Sequence, residues 1–364
     1  MIYITNLVAA IFGPLEREQL LVVLLILSGL LCAALIVVLM PLLKRYALAR
    51  PNARSSHRTP TPQGGGIAVI LAAFLPITLI LLFSAPDFKY AWGSGLGLRF
   101  LWLTFAAALG LAVVGAVDDI RPLPVLPRLL LQLLAVVAVA ASASGGNFLP
   151  MPEWIALIVV YLAGLWFVNL VNFMDGLDWI TVAEMVPITA FMTIVGWFGF
   201  LPLPGALVAA SLCGALLGFA PFNKPVARLF LGDVGSLPIG LLVGWMLLQL
   251  AGTGALVAAI LLPLYYLMDA TITLLRRLAR RERVWEAHRS HFYQQATDNG
   301  FSVLQVNAHV FGLNLVLAGL AAMTLVWPSG AVQVAALGLG AVLTGLVLRR
   351  FSRSRVSVPL EVTR

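Results

Sequence analysis

Long apolar stretches alternate with short polar stretches along the whole chain. A helix needs about 20 consecutive apolar residues to cross the hydrocarbon core of a bilayer. On that basis, the pattern predicts about eleven transmembrane helices in a single all-α, polytopic membrane domain covering residues 1–364. The predicted segments lie near residues 20–43, 65–84, 99–117, 127–144, 153–171, 180–199, 203–221, 235–251, 254–275, 304–327 and 331–348.

Lysine and arginine are concentrated in alternate loops of this pattern. Of the 23 such residues, all but Arg17, Lys89 and Arg99 lie in these loops or in the C-terminal tail. Because positive residues favour cytoplasmic loops, the loops and the C-terminus are predicted to be cytoplasmic and the N-terminus periplasmic. The composition agrees with a membrane protein, since only 10% of residues are charged, against about 25% in soluble globular proteins.

Five polar stretches stand out, and all of them lie in predicted cytoplasmic loops, where we expect the active site. They span residues 53–291, and residues 304–364 form the last two helices and a basic tail. The stretches are ARSSHRTPTPQGGG from residue 53, VDDIR from 117, NLVNFMDGLDWI from 169, FNKPVARLFLGDVGSLPIG from 222 and EAHRSHFYQQ from 286. In the first, the glycines predict a tight loop whose backbone amides can approach a ligand.

Asp118 and Asp119 follow directly after a predicted membrane span. Because a charge in lipid costs at least a few kcal/mol, the pair is expected at a water-facing surface. Two adjacent carboxylates repel each other, so they need a metal ion or a basic side chain close by.

The third and fourth stretches add more acidic and amide side chains. Asn172, Asp175 and Asp178 are three residues apart, which would place them on nearly one face if the helix continued. Asp233 is open to two readings, because an acidic residue here either caps the following helix or takes part in chemistry. Glu184 lies inside a predicted helix and is open to a structural or a site-lining role, as is Asp269.

The fifth stretch carries His288, Arg289 and His291 in an arginine-rich loop. A zinc site would need further ligands, and none is evident nearby. Arginine and histidine beside a membrane suit phosphate better. Together with the carboxylates and a hard cation such as Mg²⁺, they are the groups that phosphoryl transfer requires. An ion-coupled transporter is the alternative from another class, because intramembrane acids also occur on ion paths.

With these five stretches in this order, the chain resembles the polyprenyl-phosphate N-acetylhexosamine-1-phosphate transferases, the family of MraY and WecA. The resemblance implies transfer of a sugar-1-phosphate from a UDP-sugar to undecaprenyl phosphate with release of UMP. It also implies a requirement for Mg²⁺, which Mn²⁺ would replace, and a location in the bacterial inner membrane.

The resemblance assigns roles to matching positions in this sequence. Asp233 and Asn172 would bind the metal. Asp118, Asp119 and Asp175 would form the catalytic group. The residues expected to bind substrate are His57, Thr61, Asp178, Asn223, His288, Arg289 and His291. The bilayer is the expected environment, no nucleic acid is expected, and the oligomeric state is left open, a homodimer included.

Two departures from the family pattern bear on the sugar donor. The last loop has EAHRSHFYQQ in place of nearly contiguous histidines, and Trp179 stands where many relatives have glycine. The loop resembles the WbpL branch, which uses 6-deoxy sugars such as N-acetylfucosamine or N-acetylquinovosamine to start O-antigen and related lipopolysaccharide units. The alternatives are a WecA-like N-acetylglucosamine donor and an MraY-like muramoyl-pentapeptide donor.

Overall fold

The structure, a computed structural model, describes residues 16–49, 60–83, 95–143, 151–283 and 288–355. The described part is almost entirely helical. Its helices are α1 (Arg17–Tyr46), α2 (Gly65–Phe83), α3 (Gly95–Ile120), α4 (Val125–Ala143), α5 (Glu153–Met174), α6 (Ile180–Trp197), α7 (Leu203–Asn223), α8 (Asp233–Gly252), α9 (Leu256–Leu261), α10 (Leu264–Ala279), α11 (Phe292–Asp298), α12 (Val303–Val326) and α13 (Gly330–Phe351).

Within the described residues, nine helices are long and apolar enough to cross a membrane: α1, α2, α3, α5, α6, α7, α8, α12 and α13. A tenth, α4, has a shorter apolar stretch over Val125–Ala140. The predicted class, an all-α polytopic membrane protein, is therefore confirmed. The number of eleven spans and their orientation stay predictions.

The single helix predicted over residues 254–275 is wrong. Two helices occupy this segment, α9 and α10, and Leu262 and Pro263 lie between them. Proline has no backbone N–H and its ring clashes with the preceding turn, so a continuous helix is interrupted at this position.

A short antiparallel ladder forms at the same end of the bundle as the first polar stretch. It pairs β1 (Leu48–Ala49) with β2 (Thr61–Pro62). An isolated bridge joins the next residue, Gln63, to Phe230. The ladder and the bridge bring the first and fourth polar stretches into contact.

The central helix of the bundle is α8, which packs against α2, α3, α4, α5, α7 and α9. Most of its apolar segment is buried (83%), whereas that of the peripheral α13 is mainly exposed to the surroundings (22% buried). Small residues allow the close approach, as in other membrane helix pairs. A Cβ added to Gly66 of α2 would lie 2.2 Å from the Cα of Gly235, and one added to Gly115 of α3 would lie 2.2 Å from the carbonyl oxygen of Asp233. These contacts hold the start of α8 against the end of α3.

Candidate active site

The acidic residues of three separate stretches meet where α3 and α5 end and α8 begins. The Nδ2 of Asn172 on α5 donates to the Oδ1 of Asp233 at 2.7 Å and to the Oγ of Ser236 at 2.9 Å. The carboxyl groups of Asp118 and Asp233 lie within hydrogen-bonding distance of each other. We call Asp118, Asp119, Asn172 and Asp233 the acid cluster.

Asp119 caps the N-terminus of α8 from another helix. Its two carboxylate oxygens accept the backbone N–H groups of Asp233 (3.1 Å) and Val234 (3.2 Å). The N-cap residue of α8 is Gly232, which has no side chain for this purpose. The positive end of the helix dipole favours a carboxylate here. Gln63 also donates to the carbonyl oxygen of Asp119, at 3.1 Å.

Asp118 is held by a basic side chain and by the backbone of the following loop. Its Oδ2 lies 2.8 Å from a guanidinium nitrogen of Arg128, and its Oδ1 accepts the N–H of Leu123 at 2.6 Å. The expectation of a basic partner is thus confirmed for Asp118. Among the residues that the structure describes, Arg128 is the one basic side chain in ion-pair contact with Asp118, Asp119 or Asp233.

The acid cluster fits a magnesium ion better than a metal with several protein ligands. No group of three or more His, Cys, Asp or Glu side chains in the described residues is arranged to hold a metal by itself. Mg²⁺ needs no such group, because it commonly takes one or two carboxylates and completes its shell with water and substrate phosphates. Two carboxyl groups in contact, Asp118 and Asp233, require a shared proton or a cation between them. Asp233 would supply the carboxylate, and Asn172 would supply its amide oxygen after a 180° flip of the amide group.

Asn172, Asp175 and Asp178 do not share one helix face, because the helix that would align them does not continue past Met174. Helix α5 ends at Met174, and Asp175 is its C-cap residue. The turn that follows has no room for a side chain at Gly176, where an added Cβ would lie 2.2 Å from the Oη of Tyr293. The three polar side chains therefore point to different partners.

Asp175 lies beside the acid cluster and accepts a short hydrogen bond from the Oγ1 of Thr181 (2.5 Å). The pKa of Asp175 is raised to about 7, mainly by burial and to a lesser extent by the neighbouring carboxylates Asp119 and Asp178. A carboxyl group with this pKa is close to half-protonated at neutral pH.

Asp178 and Asn223 connect the loop after α5 to the loop after α7 by hydrogen bonds to backbone groups. The Oδ2 of Asp178 accepts the N–H of Ala227 at 3.0 Å. The amide of Asn223 accepts the N–H of Trp179 at 2.8 Å and donates to the carbonyl oxygen of Leu229 at 2.9 Å. Both side chains are buried and bonded to backbone groups, so they shape the walls of the site. Their contact with a nucleoside stays a prediction.

Trp179, one of the two departures from the family pattern, adopts a left-handed backbone conformation with φ of 64°. Glycine adopts this conformation at the lowest cost, which agrees with its presence in many relatives. Here the indole Nε1 donates to the carbonyl oxygen of Ala220 at 2.6 Å. That bond and the Asn223 contact hold the tryptophan in place.

The first polar stretch lies beside the acid cluster, but its glycine amides do not point to a ligand. The N–H groups of Gly65 and Gly66 donate to the carbonyl oxygens of Phe230 and Leu231, both at 2.9 Å. Pairing with the loop before α8 satisfies these two amides, so the prediction that amides of this loop approach a ligand does not hold for Gly65 and Gly66. Thr61 is buried in β2, and His57 lies outside the described residues.

The histidine loop packs beside the end of α5. The rings of His288 and His291 stack with their centroids 4.8 Å apart, and the Nδ1 of His288 lies 2.8 Å from the Oγ of Ser290. Arg289 forms an ion pair with Asp298 at 3.1 Å. The buried Nε of Arg289 has no hydrogen-bond acceptor among the residues that the structure describes.

Asp269 anchors the histidine loop. This fully buried carboxylate on α10 receives five polar contacts from the loop and from its own helix. They come from the backbone amides of Phe292 (3.0 Å) and Tyr293 (3.2 Å), the Nδ1 of His291 (3.3 Å), and the hydroxyl groups of Tyr265 (3.1 Å) and Thr273 (3.4 Å). The contacts fix the start of α11 and the orientation of His291.

Tyr293 joins the histidine loop to the acid cluster. Its hydroxyl donates to the carbonyl oxygen of Phe173 at 3.2 Å, one residue after Asn172. Burial raises the pKa of Tyr293 well above its usual value, so the phenol stays a proton donor at neutral pH. All five polar stretches thus meet at one end of the bundle.

Comparison of the sequence with known proteins finds similar transferases. Glycosyl transferase family 4 matches residues 101–251. A phospho-N-acetylmuramoyl-pentapeptide-transferase of Clostridium kluyveri is 28% identical over 235 residues, which cover 57% of this chain and 69% of that protein. A decaprenyl-phosphate N-acetylglucosaminephosphotransferase of Mycobacterium leprae is 24% identical over 340 residues, 84% of each chain. The equivalent protein of Mycolicibacterium smegmatis is 29% identical over 216 residues.

These matches support the MraY/WecA-type family of polyprenyl-phosphate N-acetylhexosamine-1-phosphate transferases. The family match runs from α3 to α8, so it includes the whole acid cluster. It ends before the histidine loop of this transferase. The loop, where the chain departs from the better-known members, is connected to the matched region through Tyr293 and Asp269.

The sequence did not single out Tyr293, and it left the role of Asp269 open. An acidic residue inside an apolar helix is a signal in itself, and Asp269 was noted on that ground. What it binds depends on residues more than twenty positions later in the chain. Tyr293 has no comparable signal, because a tyrosine in a helix of seven residues is commonplace.

Proposed function

We propose that this transferase moves the phospho-sugar of a UDP-activated N-acetylated hexosamine to undecaprenyl phosphate in the bacterial inner membrane and releases UMP. We further propose Mg²⁺ as its cofactor and a 6-deoxy sugar, of the N-acetylfucosamine or N-acetylquinovosamine type, as its donor. The lipid-linked product would start an O-antigen or a related lipopolysaccharide unit.

The observation that carries this proposal is the meeting of three carboxylates in the acid cluster, beside a loop of cationic side chains. In the described part of the chain, Asp118, Asp119 and Asp233 meet with one arginine, Arg128, in ion-pair contact. Such an arrangement is costly unless a cation is part of the working site. A divalent cation also brings the phosphate oxygens of a substrate to the carboxylates.

The protein residues divide the work between the two anionic substrates. Asp233 and Asn172 would hold Mg²⁺, which neutralises charge on the diphosphate of the donor. The guanidinium of Arg289 has a free Nε donor for a phosphate oxygen, and His288 and His291 lie beside it. Asp118 keeps Arg128 in place at the mouth of the cluster, where the pair can receive the lipid phosphate.

The reaction needs positioning more than proton transfer. The second pKa of a phosphate monoester is about 6, so the lipid phosphate is mostly dianionic at neutral pH. One of its oxygens would attack the β-phosphorus of the donor, and the bond from that phosphorus to the bridging oxygen would break to release UMP. The main task of the site is to hold two mutually repelling anions in line.

The choice of a 6-deoxy donor rests on the two departures, the EAHRSHFYQQ loop and Trp179. The relatives are named for other donors, N-acetylglucosamine in one case and the muramoyl pentapeptide in another. These two donors are therefore the alternatives that an assay must include.

The test is a transfer assay on purified protein with undecaprenyl phosphate and a panel of UDP-sugars. We expect lipid-linked product only with Mg²⁺ or Mn²⁺, no product with EDTA, and the highest kcat/KM with UDP-N-acetylfucosamine or UDP-N-acetylquinovosamine. Each donor is measured at the same concentration of metal and lipid, so that the ratio of kcat/KM values reports the donor alone.

Three results would contradict parts of the proposal separately. Preference for UDP-N-acetylglucosamine or the muramoyl-pentapeptide donor would overturn the sugar assignment and leave the reaction class intact. Full activity in EDTA would overturn the metal. Ion flux in proteoliposomes without transfer from any UDP-sugar would overturn the reaction in favour of a transporter.

A further inference from the structure

An apolar groove lies between the last two membrane helices, and none of its lining residues belongs to the acid cluster. It has a volume of about 440 Å³ and is formed by α12 and α13. The groove is lined almost entirely by carbon atoms. Its lining residues include Gly312, Leu313 and Val316 on α12, and Leu343, Leu346 and Val347 on α13.

A basic cavity of about 610 Å³ adjoins the groove. Leu346 and Val347 line both spaces, so the two are neighbours. The cavity is surrounded by an arginine cluster, which consists of Arg349, Arg350, Arg353 and Arg355.

The positive charge of the arginine cluster is not balanced within the described part of the chain. No described acidic residue forms an ion pair with any of the four arginines. Arg350 and Arg355 lie over the ring of Phe301, with guanidinium carbons 5.8 Å and 4.1 Å from its centroid. The aromatic contact positions these two guanidinium groups and does not neutralise their positive charge.

The arginine cluster lies at the membrane face that also carries the active site. The Nδ2 of Asn299, directly after α11, donates to the carbonyl oxygen of Phe351 at the end of α13 (2.7 Å). The backbone N–H of Arg355 donates to the carbonyl oxygen of Asn299 at 3.1 Å. By charge distribution this is the predicted cytoplasmic face, so the cavity lies at headgroup depth and the groove at the depth of acyl chains.

We propose that the groove and the arginine cluster together bind an anionic phospholipid of the surrounding leaflet. The phosphate group contacts the arginine cluster, and an acyl chain lies in the groove between α12 and α13. Basic pockets between transmembrane helices at the cytoplasmic face have the chemistry that recognises such headgroups. This site is separate from the acid cluster, and the inference does not depend on the transferase reaction.

Native mass spectrometry of the full-length protein in detergent tests the proposal. The protein is titrated with dioleoyl phosphatidylglycerol and, separately, with dioleoyl phosphatidylcholine, which has the same acyl chains and no net charge. We expect the phosphatidylglycerol complex to form at lower lipid concentration. Arg349→Gln with Arg353→Gln should weaken phosphatidylglycerol binding by about fivefold per arginine.

Matched variants separate this site from a general effect of charge or of packing. Lys44→Gln with Arg45→Gln removes the same charge from the same face at the end of α1, and it should leave phosphatidylglycerol affinity unchanged. Gly312→Phe fills the groove, whereas Gly319→Phe places the same ring elsewhere on α12. A Cβ added at either glycine meets no atom within 4 Å, so neither substitution begins with a clash at the backbone.

Only Gly312→Phe is expected to reduce binding of both lipids. The proposal is overturned if the two lipids bind equally, or if the two double variants behave alike. It is also overturned if Gly312→Phe matches Gly319→Phe. Displacement of phosphatidylglycerol by glycerol 3-phosphate or inorganic phosphate at comparable concentrations would show a free-anion site instead of a lipid site.

Discussion

Two groups of carboxylates in this protein differ in the number of donors that surround them. Asp269 receives five polar contacts from protein donors, and Glu184 accepts an amide N–H from Asn314 and the backbone N–H of Tyr266. Asp233, in contrast, faces one amide donor from Asn172 and the carboxyl group of Asp118.

The difference indicates two roles for acids that look alike in the sequence. A buried carboxylate surrounded by donors is stabilised by the protein and organises the structure around it. A carboxylate that faces another carboxylate is stable only with a proton or a cation supplied from outside. We therefore expect Asp269 to matter first for stability and Asp233 first for activity.

The largest effect should come from Asp233→Asn. We expect the rate of sugar-phosphate transfer to fall by about a hundredfold to a thousandfold, since the main cation ligand is lost. The thermal unfolding midpoint in detergent should stay the same or rise, because one of three repelling carboxylates is removed. Glu153→Gln, at the exposed far end of α5, is the control and should change neither quantity. A lower unfolding midpoint for Asp233→Asn than for the wild type would contradict the contrast with Asp269, since it would give Asp233 a structural role.

Asp269→Ala should have the opposite profile. Loss of the carboxylate leaves the amides of Phe292 and Tyr293 without an acceptor, and we expect unfolding to become easier by about 3 kcal/mol. Thermal unfolding in detergent measures the loss, and limited proteolysis of the histidine loop shows where it occurs. Asp269→Asn keeps one acceptor oxygen, so its loss of unfolding free energy should be smaller. Equal unfolding midpoints for the wild type and Asp269→Ala would contradict the anchoring role.

A smaller effect is expected from Gly115→Ala, which tests how the acid cluster is assembled. The added methyl group would lie 2.2 Å from the carbonyl oxygen of Asp233, so α3 and α8 must move apart. Overpacking of this kind costs about 1 to 3 kcal/mol, and the displacement of Asp233 should lower the transfer rate. Gly110→Ala on the same helix meets no atom within 4 Å and is the control. If both alanine variants keep full activity and stability, close approach of α3 and α8 is not required.

Much of the fold could be predicted from residue patterns alone. Apolar stretches of membrane length, with lysine and arginine between them, determine a polytopic helical protein because a bilayer tolerates few other backbones. The positions of the acidic and basic stretches also follow directly from the sequence. One helix, predicted over residues 254–275, is divided in the structure, and Pro263 in the sequence already indicated a break there.

The roles of individual acids could not be predicted, because the partners that decide them are distant in the chain. Asp119 caps a helix that begins 114 residues later, and Asp269 binds amides 23 and 24 residues later. By itself, the sequence determined the class of the protein and the set of polar side chains. Only the tertiary structure decided which carboxylates receive donors and which face each other, since hydrogen bonds depend on the position of atoms and not on their order along the chain.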